Sequence, residues 1–161
     1  MRLLRLKMDK EAYFKNILPD IDKTISSNLT LEEKLRLICL LLKGNIPNYD
    51  WVGFYITNPE KELILGPFAG DPTEHVKIMF GQGICGQAAE KQDVFIINDV
   101  AKETNYLSCS AKVKSEIVLP IFKNGSVWGE LDIDSHELVR FDEIDADFLE
   151  SVCQKIESVI G

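Results

Sequence analysis

One hairpin constrains this chain more than any other stretch. Lys123-Asn-Gly-Ser126 joins two strand-like runs, residues 116–122 and 127–134. Asn-Gly between such runs is the strongest short hairpin signal, because both turn residues must take positive φ. The second run ends in Leu131-Asp-Ile-Asp-Ser135, preceded by Glu130. In a strand, residues two apart share a face. Leu131 and Ile133 therefore face one way, and Glu130, Asp132 and Asp134 face the other. Three acids in one row repel one another. A solvated face would explain them, but surface strands more often mix in Lys, Thr or Ser. Acids held together also suit a site that binds a cation, a metal or an ammonium group, or that keeps a proton on a carboxyl. Glu116 opens the first run and is its only charge. If the two runs pair, Glu116 can share a face with Asp132 or Asp134, although sequence does not fix the register.

The rest of the chain frames this hairpin. Residues 9–26 carry Tyr13, Phe14, Ile17, Ile21 and Ile25 at helical intervals, with Pro19 expected to kink or divide the helix. Thr30 and Glu33 form a capping box for a second helix, whose stripe is Leu35, Ile38, Cys39 and Leu42 and whose stop is Gly44. Residues 51–57 are rich in aromatic and β-branched side chains. Asn58-Pro59-Glu60 turns the chain into a return strand at 62–65, a second hairpin. Residues 66–115 are irregular and glycine-rich, with a strand expected at 94–97 and a helical turn at 84–91; such loops approach a ligand or one another closely. Residues 142–160 form a terminal amphipathic helix with Ile144, Phe148, Val152, Ile156 and Ile160 on one stripe. Helices at both ends of an antiparallel sheet predict one α+β domain over residues 1–161. It divides into N-terminal helices (1–46), sheet and pocket loops (48–135) and the C-terminal helix (142–160).

A net charge of −8 argues against nonspecific nucleic-acid or anionic-membrane binding. No apolar run approaches the roughly 20 residues of a membrane span, and residues 1–10 lack a signal core, so a cytoplasmic location is expected. The four cysteines, Cys39, Cys85, Cys109 and Cys153, are widely spaced, which speaks against a zinc finger, and no metal is expected. Cys39 and Cys153 lie on apolar helix stripes and read as core filler. Cys85, in Gly81-Gln-Gly-Ile-Cys-Gly86, has two readings. Exposed amides at a helix start stabilise a thiolate there, or the residue is a buried structural cysteine in a glycine turn, which composition favours. Cys109 sits in the polar stretch Asn105-Tyr-Leu-Ser-Cys-Ser-Ala, a poor place for a structural cysteine. Lys112 and Lys114 can lower its pKa, so it reads as the reactive thiol. Trp51 and Tyr55 flank Gly53 on one strand face and either leave a gap for a ligand between two rings or are plain core aromatics. His75 and His136 read as isolated, exposed residues without a role.

Six phrases in order resemble the GAF-domain free methionine-(R)-sulfoxide reductases. They are Trp51-Val-Gly-Phe-Tyr55, Leu65-Gly-Pro-Phe68, Gly81-x-Gly-x-Cys-Gly86, Asn98-Asp-Val100, Ser115-Glu-Ile-Val118 and Leu131-Asp-Ile-Asp-Ser135. The resemblance implies a central antiparallel sheet with the N- and C-terminal helices packed on one face and a loop-covered pocket on the other. It implies Cys109 as nucleophile, and Trp51, Tyr55, Glu116, Asp132 and Asp134 as the lining of a pocket for free methionine sulfoxide. The reaction would pass through a sulfenic acid on Cys109, with no bound cofactor. An external thiol reductant, thioredoxin-like or dithiothreitol, would reset the enzyme in an antioxidant role. A homodimer is left open. Two departures stand out. The family usually carries another cysteine shortly after its Gly-Pro-Phe-x-Gly phrase, whereas Gly70-Asp-Pro-Thr-Glu-His75 has none. Either Cys85 then resolves the intermediate, with a Cys85–Cys109 disulfide expected, or an external thiol does. Glu130 stands where the family usually has an apolar residue. The rival expectations are a non-catalytic GAF small-molecule sensor and a thiol redox sensor built on Cys85 and Cys109.

Overall fold

A computed structural model describes residues 2–107 and 110–161. The defining hairpin forms as its turn chemistry requires. Strands β5 (Ser115–Lys123) and β6 (Ser126–Ser135) run antiparallel. Asn124 and Gly125 between them take φ of 52° and 79°, both left-handed. The register sets Glu116 opposite Asp134, Ile117 opposite Ile133 and Leu119 opposite Leu131. On the other side of β6 lies β1 (Trp51–Thr57), with Trp51 opposite Asp134, Gly53 opposite Asp132 and Tyr55 opposite Glu130. The acid-bearing strand is therefore central, hydrogen-bonded along both edges.

Strand β2 (Glu62–Ala69) returns along β1 and is longer than expected. It passes Gly66-Pro67 by a register irregularity rather than stopping there, as a strand proline requires. Two short strands cover the edges: β3 (Lys77–Met79), which the sequence did not announce, and β4 (Phe95–Ile97). Among the described residues the six strands are ordered β3-β2-β1-β6-β5-β4, all neighbours antiparallel.

The two faces of the sheet are covered differently. Helices α1 (Arg2–Ser26), α2 (Leu31–Asn45) and α4 (Glu143–Glu157) pack on one. Ile21, Ile38, Leu42, Leu149 and Val152 meet Val52, Phe54, Leu119, Leu131 and Ile133 there in one buried core. Each fully buried Leu or Ile contributes roughly 1.5–3 kcal/mol. The other face is covered by the short helix α3 (Gly83–Lys91) and its flanking loops. Ile84, Cys85 and Ala88 pack there against Trp51, Tyr55, Leu63 and Val118. Among the described residues, no helix is long and apolar enough to cross a membrane.

Local expectations fail where tertiary contacts outweigh local signals. Helix α1 starts at Arg2 and runs through Pro19 without a break. Ile17 and Ile21, buried on either side of the proline, offset the hydrogen bond it cannot make. Gly44 does not stop α2. The helix continues to Asn45, whose side-chain amide donates to the Leu41 carbonyl at 2.8 Å, and buried Ile46 then pulls the chain into extended conformation. The expected capping box at Thr30 and Glu33 is present, and a second one forms at α4 between Asp142 and Asp145. Asp145 is fully buried and fully served: it accepts from Tyr49 Oη (2.8 Å), Lys10 Nζ (2.6 Å), Arg140 Nη1 (3.2 Å) and the Asp142 amide (3.1 Å).

Candidate active site

Strand alternation places Glu130, Asp132 and Asp134 on the α3 side of β6, and the pairing of β5 adds Glu116 to the same face. None of the four is solvated; all are buried. A carboxylate in such a place loses its hydration, so the neutral acid is favoured. Burial pushes Asp132 up to about 6, with contacts to Glu116 and the Cys85 thiol acting in the opposite direction. Glu130 and Asp134 rise well above the ordinary range, first through burial and then through the charge of Asp132 between them. Among the described residues, both Glu130 oxygens and Asp132 Oδ1 have no hydrogen-bond partner. The row is therefore a set of buried acids, and not a solvated face, with burial favouring the neutral form of Glu130, Asp132 and Asp134.

Cys85 faces this row from the first turn of α3. Its thiol donates toward Glu116 Oε1 at 3.9 Å. The thiolate that a helix start would favour is overruled. Burial raises the Cys85 pKa strongly, and Asp132, Glu130, Glu116 and Asp134 raise it further. The half-unit of positive charge at a helix N-terminus is outweighed by four nearby acids. Cys39 and Cys153 are buried in the helix-side core, as their stripes indicated, and burial pushes Cys39 up to about 12. Cys109, with Ser108, lies outside the described residues. The residues flanking that pair both border the acid row. Leu107 lines a cavity of about 10 Å³ with Tyr55, His75, Cys85, Glu116 and Asp132. Ser110 lines a second cavity of about 30 Å³ with Trp51, Asp71, Asp134 and His136.

Of the two readings of Trp51 and Tyr55, the open gap at Gly53 is not what forms, because the space is occupied. The Trp51 indole folds back over its own strand, so a Cβ on Gly53 would lie 2.3 Å from Trp51 Cη2. The ring stacks on Phe68 (centroids 5.6 Å apart, 18° between planes), and its Nε1 donates to the Asp71 carbonyl at 3.0 Å. Gly53 is thus a seat for the indole. Tyr55 is fully buried and donates from its hydroxyl to the His75 carbonyl at 2.9 Å. His75 is half-buried on the cavity wall and not an exposed bystander. His136 is also half-buried, its amide held by Asp50 Oδ2 at 2.7 Å.

Sequence reasoning missed Asn105. Its Nδ2 donates to the Gly81 carbonyl (2.8 Å), its Oδ1 accepts from the Gly83 amide (3.0 Å), and Gln87 Nε2 donates to its carbonyl (3.2 Å). It staples the segment leading to Leu107 onto the start of α3. Gly83 sits there at φ +63° with Leu107 close against it. An asparagine in a polar loop carries no local sign of such a role.

Comparison with known proteins agrees with this geometry. The model of the GAF domain family matches residues 28–160. GAF domain-containing protein A of Dictyostelium discoideum is 38% identical over 152 residues, covering 94% of this chain and 95% of that protein. The free methionine-R-sulfoxide reductase of Saccharomyces cerevisiae is 42% identical over 123 residues, covering 74% and 68%. The structure of the free methionine-R-sulfoxide reductase from Neisseria meningitidis in complex with its substrate aligns with a TM-score of 0.85 at 34% identity. It covers 90% of this chain and 86% of that one.

Proposed function

The chain belongs to the GAF domain family and, within it, to the free methionine-R-sulfoxide reductases, and on that premise we propose that it reduces free L-methionine-(R)-sulfoxide through Cys109. The observation that carries this reading is the buried acid row facing Cys85, bordered by Leu107 and Ser110 on either side of the Cys109 pair. The Cys109 thiolate attacks the sulfoxide sulfur and forms an S–S bond, while a neutral carboxyl of the row protonates the oxygen. The hydroxyl then passes to the Cys109 sulfur as the S–O and S–S bonds break, so that methionine leaves with the electron pair and Cys109 is left as a sulfenic acid. Ionised members of the row, among Glu116, Asp132 and Asp134, hold the substrate's ammonium group, while Trp51 and Tyr55 pack on its methyl and thioether end.

A second thiol then condenses with the sulfenic acid, releasing water and forming a disulfide. The attacking form is the thiolate, and the acids around Cys85 oppose it. That environment favours an external thiol from a thioredoxin-like reductant over Cys85 as the resolving group. Ligand pockets run to about 300 Å³ or more, so His75 and Leu107 draw back to admit the amino acid.

The test is a coupled assay with free L-methionine-(R)-sulfoxide and dithiothreitol, run beside the S epimer and a peptide-bound sulfoxide. Turnover confined to the free R epimer, lost in Cys109→Ser and retained in Cys39→Ser and Cys153→Ser, is the expected result. Full activity in Cys109→Ser would sink the mechanism, and absence of turnover would restore the sensor readings. Mass spectrometry after one turnover with substrate alone reads the recycling step. A sulfenic acid on Cys109 with Cys85 free supports the external thiol, and a Cys85–Cys109 disulfide overturns it.

A further inference from the structure

Cys85, Glu116 and Asp132 come from three elements, α3, β5 and β6, and converge on the same cavity. One sulfur and two carboxylate oxygens lie within 4.8 Å of one another, all from buried residues. Cys85 Sγ stands 3.9 Å from Glu116 Oε1. In a tetrahedral zinc site with Zn–S near 2.3 Å and Zn–O near 2.0 Å, such donors stand about 3.5 Å apart. The present spacing is only slightly wide of that.

Acid clusters are common, and this one has a separate mark of a ligand. Asp132 Oδ1 is buried, has no hydrogen-bond partner among the described residues, and belongs to a residue on the wall of that cavity. The cavity, about 10 Å³, takes roughly one water-sized sphere, which is also the size of one ion. The donors are not free to drift, because β5–β6 pairing sets Glu116 opposite Asp134 and so diagonal to Asp132 on the same face of the sheet. The donor set also selects. Calcium and magnesium take oxygen ligands, whereas a thiolate beside carboxylates suits zinc.

We infer that the resting pocket is a zinc site in which Cys85, Glu116 and Asp132 bind one Zn²⁺ per chain, leaving the fourth position to solvent. Coordination replaces the S–H bond of Cys85 with an S–Zn bond. That proton, together with any held on the Glu116 and Asp132 carboxyls, passes to solvent and no electron moves. A dication also relieves the mutual repulsion of the acids that line the cavity. Metal binding goes beyond the reductase reading and does not depend on it. One corollary does rest on that reading: zinc and the substrate's ammonium group compete for the same oxygens.

The experiment uses the reduced, chelator-treated full chain. Co²⁺ is titrated anaerobically while the thiolate-to-cobalt absorption is followed, and Zn²⁺ is then added to displace it. One equivalent per chain is expected, with the band abolished in Cys85→Ser and kept in Cys109→Ser. Zinc affinity should fall at least tenfold in Asp132→Asn and in Glu116→Gln. Circular dichroism checks folding. If Cys85→Ser does not fold, unchanged affinity in both carboxyl variants overturns the site. It is also overturned if neither metal binds saturably at micromolar concentration, or if the band survives Cys85→Ser in a folded chain. Free methionine-(R)-sulfoxide should weaken zinc binding. If it does not while the mutants behave as stated, the substrate assignment of this pocket falls and the metal site stands. Sulfoxide turnover by a chain that binds no zinc leaves the reductase reading and removes the metal site.

Discussion

Two faces of one sheet bury acids in opposite ways. On the helix side, Asp145 is surrounded by Lys10, Arg140, Tyr49 and the Asp142 amide, each supplying a hydrogen bond. On the α3 side, Glu130 and Asp132 are as deeply buried, yet three of their four oxygens have no partner among the described residues. The first arrangement is what stability alone selects: a buried charge with its counter-charges. The second weakens the fold, since each acid must stay neutral or stand unpaired. A chain keeps such a cluster where the acids have work that stability does not measure.

The comparison can be broken most sharply at Asp145. Asp145→Asn leaves Lys10 and Arg140 without their carboxylate and is expected to destabilise the chain by about 3–5 kcal/mol, read as a lower midpoint in urea unfolding. Leu131→Ala, on the same side, should cost about 2–5 kcal/mol by opening a cavity in the core. On the other face the expected loss is in chemistry. Asp132→Asn should leave the midpoint unchanged or higher, while kcat/KM falls roughly ten- to a hundredfold, equivalent to about 1.5–3 kcal/mol of charge-assisted contact. If Asp132→Asn unfolds the chain as Asp145→Asn does, the two faces do not differ as argued.

The pH dependence sharpens the contrast. Glu130, Asp132 and Asp134 have folded pKa values raised above their unfolded ones. From about pH 4 upward the unfolded chain releases these protons first, so the folded state holds more of them. Stability therefore falls as pH rises, through about 6 for Asp132, and the raised values of Glu130 and Asp134 add to the decline in the same direction. Glu130→Gln should flatten this decline and raise thermal stability at pH 8, as measured by thermal unfolding over a pH series. A variant that melts like the parent at every pH would show that Glu130 is not held neutral. The smallest effect is expected at Asn105. Asn105→Ala removes the staple between the Leu107 segment and α3 and should cost about 0.5–1.5 kcal/mol per lost hydrogen bond. Its local signature is faster amide exchange at Gly83.

What could be read from sequence was local in origin. The Asn124-Gly125 turn, the Thr30 capping box and the alternation that separates Leu131 and Ile133 from the acids all rest on spacings of a few residues. They were enough to expose the α+β class, and Trp51, Tyr55, Asp132 and Asp134, singled out with them, line the two small cavities. The burial of the acids was not legible, because it depends on α3 folding over them from elsewhere in the chain. The same holds for the indole closing over Gly53 against Phe68 and Gly70, and for Asn105 reaching Gly81 and Gly83. Pro19 and Gly44 misled for the same reason, since core contacts overrode the breaker signal. Cys85 misled because the helix start was visible in sequence and the acids facing it were not.

The seat of Trp51 gives the chain a built-in optical gauge. Its indole lies on Gly53, stacks on Phe68 and borders the cavity that holds Asp134. The chain's other tryptophan, Trp128, packs on the helix side. In a Trp128→Phe background, all tryptophan emission therefore comes from the pocket wall. Anything that enters must lift the indole, stack on it or change the charge beside it, and each of these alters the colour or yield of its light. Occupancy of that cavity can thus be followed without turnover, label or added dye, in the same cuvette for an amino acid or a proton.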